Sequence, residues 1–372
     1  MKKVLFLINT LADGGAERVL VDLANGMDKT KFDVTIQTIV DTGQRKQELS
    51  GNVSYKTIIK IHNPFIRKML TAIITRVIPA KFVYRMFVKN NYDIEVAFLE
   101  GLPTKIIAAS DTNSKKFAWV HTDLIRYSDS FKIYSSHTAC KKVYEKFNKI
   151  IGVSEDVITQ FKTKLDWAED NTIVAYNVNN DERIRELSKE TIPDLKKKDV
   201  VTFISCGRLT VQKGFDRLIR IHKRLIDEKF KCELWIVGGG SEYDKLNDYI
   251  TENNLTDSVI LFGFQSNPYK YIANADVFVC SSNTEGYSSV VTEAIILQLP
   301  VITVKVAGAE EPKECLRYSI LCENSEEELY KKMKYVLENP GVISEFKAEL
   351  YKKRSYFSMK KQVEKIEKIL CE

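Results

Sequence analysis

Two glutamates, Glu285 and Glu293, stand on either side of the seven residues GYSSVVT. An ionised carboxylate only accepts hydrogen bonds, so each is suited to hydroxyl donors. VFVCSS (Val277–Ser282) reads as a strand, Asn283–Tyr287 as a turn, and VVTEAIILQ as a helix that ends before Pro300. Gly286 supplies a permissive backbone for the turn, and Ser288 or Ser289 is expected to cap the helix. Glu285 then lies in the loop, and Glu293 lies roughly 7–8 Å along the helix axis from the cap. Between them are the first N–H groups of a helix, an end that attracts phosphate. Hydroxyls on both sides of a diphosphate describe a sugar nucleotide. The spacing alone is weak, since two such glutamates arise by chance roughly once or twice in a chain of this composition. Glu293 would also serve as an ordinary exposed helix residue.

Three further groups could join that chemistry. In CGRLTVQKGFDRL, Arg208 and Lys213 follow a strand and precede a helix. A guanidinium grips phosphate oxygens in pairs and an ammonium adds a point charge. The same two cations would also suit a solvated surface. In TLADGGAERVLVDLAN, Gly14 and Gly15 leave room for a ligand against the backbone. Neither the dinucleotide G-x-G-x-x-G nor the P-loop G-x-x-x-x-G-K is present. In AWVHTD, His121 sits just past a strand end, where a structural role competes with a catalytic one. The chain has no D-x-D and no histidine pair at metal-ligand spacing, so catalysis is expected to need no metal and no cofactor.

The elements that must hold these residues alternate from end to end. Strand-like runs are VLFLIN, FDVTIQTIV (Phe32–Val40), IEVAFL, KFAWV, KIIGVS and TIVAYNV, then VVTFISCG, CELWIVG, SVILFG, VFVCSS and PVITV. Helical patterns separate them, which predicts an α/β chain with parallel sheets. The polar stretch Asn179–Asp199 divides the two series. The expected layout is a Rossmann-like domain over 1–183, a linker over 184–199 and a second Rossmann-like domain over 200–356. A last helix over 357–372 is expected to return toward the first domain. Two facing doubly wound domains would place the ligand in the cleft between them.

At 372 residues, two domains are the natural division. No apolar run reaches the length of a spanning helix, and MKKVLFLIN reads as a buried strand, not a leader peptide. Seven cysteines with no C-x-x-C pair fit buried thiols in a reducing cytoplasm. The net charge of +6 is unevenly spread: no acidic residue occurs between Glu48 and Asp93, while Lys56, Lys60, Arg67, Lys68, Arg76, Lys81, Arg85 and Lys89 do. Apolar residues interleave with them, a pattern suited to an anionic membrane surface as well as to a solvated helix face. No nucleic-acid module accompanies the charge.

The pieces GGAER, WVHTD, IGVSE, GRLTVQKGFDRLI, LWIVGGG, LFGF and EGYSSVVTEAIILQLPVI together resemble family 4 glycosyltransferases of the GT-B fold. The resemblance runs nearly end to end and implies a retaining enzyme that uses a sugar nucleotide, UDP being the commoner base. It implies that Glu285 and Glu293 are the two glutamates of an E-x7-E motif, near the donor sugar and on the ribose. Arg208 and Lys213 would bind the diphosphate, Gly14 and Gly15 would approach the donor phosphates, and His121 would lie beside the sugar. Phe264 marks the region that reads the base, and Gly286, Tyr287, Ser288 and Ser289 complete the donor loop. The turn here is Tyr-Ser-Ser, where family members often carry Gly or Pro at the position of Ser288. GGAER-type members resemble builders of bacterial surface polysaccharides on lipid-linked acceptors. The basic apolar stretch Lys56–Lys89 fits that, by placing the first domain of a cytoplasmic protein at the inner face of the membrane. A nucleotide-sugar epimerase shares the two-domain layout, and a sugar-nucleotide-binding protein without activity is a further alternative.

Overall fold

The computed structural model describes residues 1–12, 14–61, 63–122, 132–193, 195, 197–309, 319–352 and 357–372. Contacts divide the chain into two compact units, Met1–Asn179 with Met359–Glu372, and Asn180–Ser358.

The first unit is built on a parallel sheet of β1 (Lys2–Ile8), β2 (Phe32–Val40), β3 (Ser54–Ile59), β4 (Ile94–Ala97), β5 (Lys115–Val120), β6 (Lys149–Gly152) and β7 (Thr172–Val174). Their order is β3-β2-β1-β4-β5-β6-β7. Val4 to Ile8 are all buried, which is why β1 reads as a continuous apolar run. The strand order reverses between β1 and β4, and the loops leaving these strands diverge there. The helix Met359–Cys371 belongs to this unit. Its Glu367 accepts a hydrogen bond from the Asp28 backbone N–H at 2.6 Å, and Met359 and Val363 press on Gly26.

The second unit repeats the plan with β8 (Val201–Cys206), β9 (Cys232–Val237), β10 (Val259–Leu261), β11 (Val277–Cys280), β12 (Val301–Val304) and β13 (Ser319–Cys322). The order is β10-β9-β8-β11-β12-β13, all parallel, with the reversal between β8 and β11. Side chains alternate across the sheet. Phe203 joins the cluster of Leu218, Ile236 and Val279, while its neighbour Ile204 joins Trp235, Phe278 and Ala294 on the other face.

Two differences from the sequence reading have simple causes. The stretch 184–199 was expected to be a linker, but it starts inside a helix, Asp181–Leu187, whose Ile184 is buried against Trp235 and Phe278. One apolar residue among charged ones is enough to seat it, and the second unit begins at Asn180. Strands β3 and β13, edge strands whose residues are mostly only part-buried, were not among the strand-like runs read from the sequence.

Candidate active site

The loops after β8 and β11 carry Arg208, Lys213 and Glu285, and these two strands meet where the sheet order reverses. After β8 the chain makes a short 3-10 turn, Val211–Lys213, and then enters the helix Phe215–Asp227 through Gly214. Gly214 has φ of +63°, and a Cβ there would lie 2.2 Å from the Ser281 carbonyl oxygen. Only glycine allows that approach in that conformation. The two loops are then stitched together. The Asn283 backbone N–H donates to the Gln212 carbonyl at 2.7 Å, and the Ser281 hydroxyl donates to the Lys213 carbonyl at 3.0 Å. Arg217, buried in the same helix, donates Nε to the Ser281 carbonyl at 2.8 Å and Nη2 to the Ser282 carbonyl at 2.9 Å. Burial lowers its pKa, and the two carbonyls take up its donors.

Lys213 Nζ is 2.5 Å from Glu285 Oε1, and the same oxygen accepts from the Ser282 hydroxyl at 2.6 Å. Glu285 is only 6% exposed. Burial pulls the Lys213 pKa down, but the Glu285 charge and hydrogen bond outweigh it, and the net direction is up. Lys213 is therefore a firm cation held against a carboxylate. The pair lines a small cavity with Cys206, Ser282 and Ser288. Burial pushes the Cys206 thiol up to about 12, with Glu293 adding to the rise and Lys213 opposing it, so both charges act on this thiol. Glu293 is the fifth residue of the helix Ser289–Ile296 and accepts from the Tyr269 hydroxyl at 3.2 Å. It is buried, not an exposed helix residue.

Other residues of this loop have specific surroundings. Ser288 occupies the cap position, but its side chain makes no capping hydrogen bond, which differs from expectation. Tyr287 is buried and its hydroxyl accepts from Thr292 at 3.0 Å. The Gly286 carbonyl lies so close to Gly308 that a Cβ on the latter would stand 2.9 Å away. Ser289 opens the helix.

Arg208 is exposed, and among the described residues its guanidinium takes no ion pair. Hydrogen bonds thus join Lys213 to Glu285 and leave Arg208 apart from both. The sequence reading did not assign Gly238, Gly239 and Gly240 a role, although they stand directly after β9. A Cβ on Gly238, at φ of +153°, would lie 1.9 Å from the Gly207 carbonyl, and one on Gly240 would lie 2.3 Å from that of Leu209. These glycines let the two loops press together and fix the base of Arg208. Phe264 stands beside Gly239 and is 68% exposed, an aromatic face open to solvent.

In the first unit, Gly14 caps the helix Gly15–Gly26. A Cβ on Gly14 would meet only the movable end of the Glu17 side chain, and Gly15 has open space beside it. His121 follows β5. Burial pushes its pKa down to about 3, partly countered by a hydrogen bond to the Phe98 backbone, so the ring is neutral at ordinary pH. Its Nε2 is buried with no partner among the described residues, and the ring stacks against Trp119 at 6.1 Å. Glu100, which the sequence did not single out, holds this loop. Its Oε1 accepts from the His121 N–H at 2.7 Å, the Thr122 N–H at 2.8 Å and the Thr122 hydroxyl at 3.0 Å. Burial raises the Glu100 pKa, and these hydrogen bonds oppose the rise. Among the described residues, no cluster of three or more His, Cys, Asp or Glu side chains is placed to hold a metal ion. Cys140, Cys206, Cys232, Cys280, Cys322 and Cys371 are free thiols.

Comparison with known proteins supplies the deciding match: residues 188–358 fit the family described as glycosyl transferases group 1. The second unit is a group 1 glycosyltransferase domain. The chain is 27% identical to the N-acetylgalactosamine-N,N'-diacetylbacillosaminyl-diphospho-undecaprenol 4-alpha-N-acetylgalactosaminyltransferase of Campylobacter jejuni, over 93% of each protein. It is 31% identical to an uncharacterized glycosyltransferase of Methanocaldococcus jannaschii over 59% of this chain and 55% of that one. Among solved structures, Anabaena HepE in complex with UDP and glucose superposes with a TM-score of 0.76 at 19% identity over the whole of both chains. The lipopolysaccharide glycosyltransferase WaaG superposes with a TM-score of 0.71 at 15% identity over 99% of each. The glycosyltransferase fold is therefore GT-B, with two Rossmann-like α/β domains of seven and six parallel strands.

Proposed function

We propose that the chain is a retaining glycosyltransferase that moves a hexosyl or N-acetylhexosaminyl group from a UDP-sugar to a saccharide hydroxyl. The observation that carries this reading is the Lys213–Glu285 pair at the sheet reversal, its carboxylate buried, with Glu293 inside the next helix. Diphosphate arriving at Lys213 competes with Glu285 for the ammonium, and the released carboxylate becomes free to accept from a sugar hydroxyl. Arg208, exposed and without an ion pair among the described residues, supplies the second cation, and Glu293 accepts from the ribose. Gly15, with open space beside it, admits the donor phosphates. The neutral His121, with Nε2 as an unpartnered acceptor, suits a hydroxyl of the transferred sugar. Phe264 offers its face to the base.

The acceptor oxygen forms the new bond to the anomeric carbon as the bond from that carbon to the diphosphate breaks on the same face. The acceptor proton passes to the departing phosphate oxygen, so no side-chain base is required. Catalysis then comes from positioning and from the cations meeting the charge that develops on the leaving group. The Campylobacter relative is named for a diphospho-undecaprenol acceptor, and HepE was solved with UDP and glucose; both support a UDP donor and a lipid-linked acceptor. The product belongs to surface polysaccharide synthesis, and the chain works as a peripheral cytoplasmic protein. An epimerase would need no acceptor. Incubation of the protein with a panel of UDP-sugars, with and without lipid-linked saccharide, tests the reading. Transfer that requires acceptor and keeps the anomeric configuration supports it, and a new sugar nucleotide formed from donor alone contradicts it.

A further inference from the structure

Seven of the twelve exposed large hydrophobic residues among the described residues lie between Phe65 and Phe87. The helix Pro64–Arg76 shows why. Of its thirteen residues only Ile74 is buried. At 100° per residue, Phe65, Lys68, Met69 and Arg76 share the opposite face, and all four are exposed. Phe65 is 77% exposed, so an apolar ring stands in water on the face that also carries Lys68 and Arg76. The pattern continues with exposed Val77, Lys81, Phe82 and Met86. Lys68, Arg76 and Lys81 take no ion pair among the described residues, whereas Arg85 and Lys89 are tied to Asp111. The surface is mounted firmly. Val83, Tyr84 and Val88 are buried, the Tyr84 hydroxyl donates to Glu95 at 2.5 Å, and Gln37 Nε2 donates to the Phe87 carbonyl at 2.7 Å.

We infer that this face is a docking surface for a lipid bilayer with anionic headgroups. Free cations match the headgroup charge, no acidic side chain between positions 48 and 93 opposes them, and apolar side chains interleaved with them reach the acyl boundary. A soluble polyanion would engage the cations and leave Phe65, Met69 and Phe82 in water. The inference deepens the lipid-linked acceptor reading, which gives the contact its purpose. Binding to vesicles needs neither donor nor acceptor, so the two fail separately.

The test is flotation of the full chain with vesicles of phosphatidylcholine alone or containing about 30% phosphatidylglycerol, at low and high salt. The wild type is expected to bind the anionic vesicles at least ~10-fold more tightly than the neutral ones. The triple variant Lys68→Gln, Arg76→Gln, Lys81→Gln should lose at least ~10-fold of that affinity. The variant Phe65→Ser, Met69→Ser, Phe82→Ser should lose the binding that survives high salt. Both variants should keep the wild-type unfolding temperature and UDP affinity. Absence of binding to anionic vesicles, or wild-type binding by both variants, overturns the inference. So does a dimer in sedimentation that the serine variant dissociates, which would assign the face to a second copy of the chain.

Discussion

The helices Pro64–Arg76 and Phe215–Asp227 have the same length of thirteen residues and opposite relations to the molecule. The first buries one side chain and leaves its phenylalanine and methionine outside. The second buries seven, among them an arginine and a histidine. Apolar content therefore does not decide which helix is absorbed; the neighbouring elements do. Phe215–Asp227 lies against the sheet of the second unit, and its Arg217 uses the buried position to tie the β8 and β11 loops that hold Lys213 and Glu285. Pro64–Arg76 also lies beside its sheet, near β2 and β3, but seats only Ile74, and its outer face is apolar and basic at once.

That contrast can be broken by substitution. Lys213→Ala should lower turnover by about 10²–10³-fold, the size of a lost charge-stabilising donor, measured as initial rates with saturating donor. Arg217→Met should come next. It leaves the Ser281 carbonyl without its side-chain donor, at about 1–3 kcal/mol, and the Ser282 carbonyl with only a long bond from Asn324, and should lower both stability in urea and turnover. Serine substitutions on the outer face of Pro64–Arg76 should change stability by less than about 0.5 kcal/mol, with the loss confined to assays on membrane-held acceptor. If these outer changes unfolded the protein, the contrast between the helices would fail.

A smaller effect concerns pH. The folded His121 pKa is pushed down to about 3, below the ordinary histidine value of 6.5. The unfolded chain therefore binds the extra proton first as pH falls through 6.5, and stability declines from there toward about 3. His222, buried and pushed down to about 4, adds to the same trend. His121→Gln should flatten part of the slope of unfolding temperature against pH between about 6 and 4. An unchanged slope would show that His121 titrates normally in the folded protein.

Much of this was legible because the strands carrying the site are central and apolar. VTFISC and VFVC stand out in the sequence, and the loops after them could be located to within a residue or two. The pairing of Lys213 with Glu285 was not legible, since 72 positions separate them and only the adjacency of β8 and β11 brings them together. Arg217 looks like a surface cation in FDRLIR, because periodicity cannot tell a buried guanidinium from an exposed one. Glu100 escaped for the same reason: its partners are backbone N–H groups at 121 and 122, which no residue type reveals. The cap at Ser288 failed because a serine before a helix offers a bond without compelling it.

The account rests on Lys213 exchanging Glu285 for the donor diphosphate. Calorimetric titration of UDP into the wild type, Lys213→Ala and Glu285→Gln tests this most directly. The wild type should bind, Lys213→Ala should bind at least ~10-fold more weakly, and Glu285→Gln, which frees the ammonium, should bind UDP at least as tightly as the wild type. Equal affinity in the wild type and Lys213→Ala, or weaker UDP binding in Glu285→Gln, would contradict it.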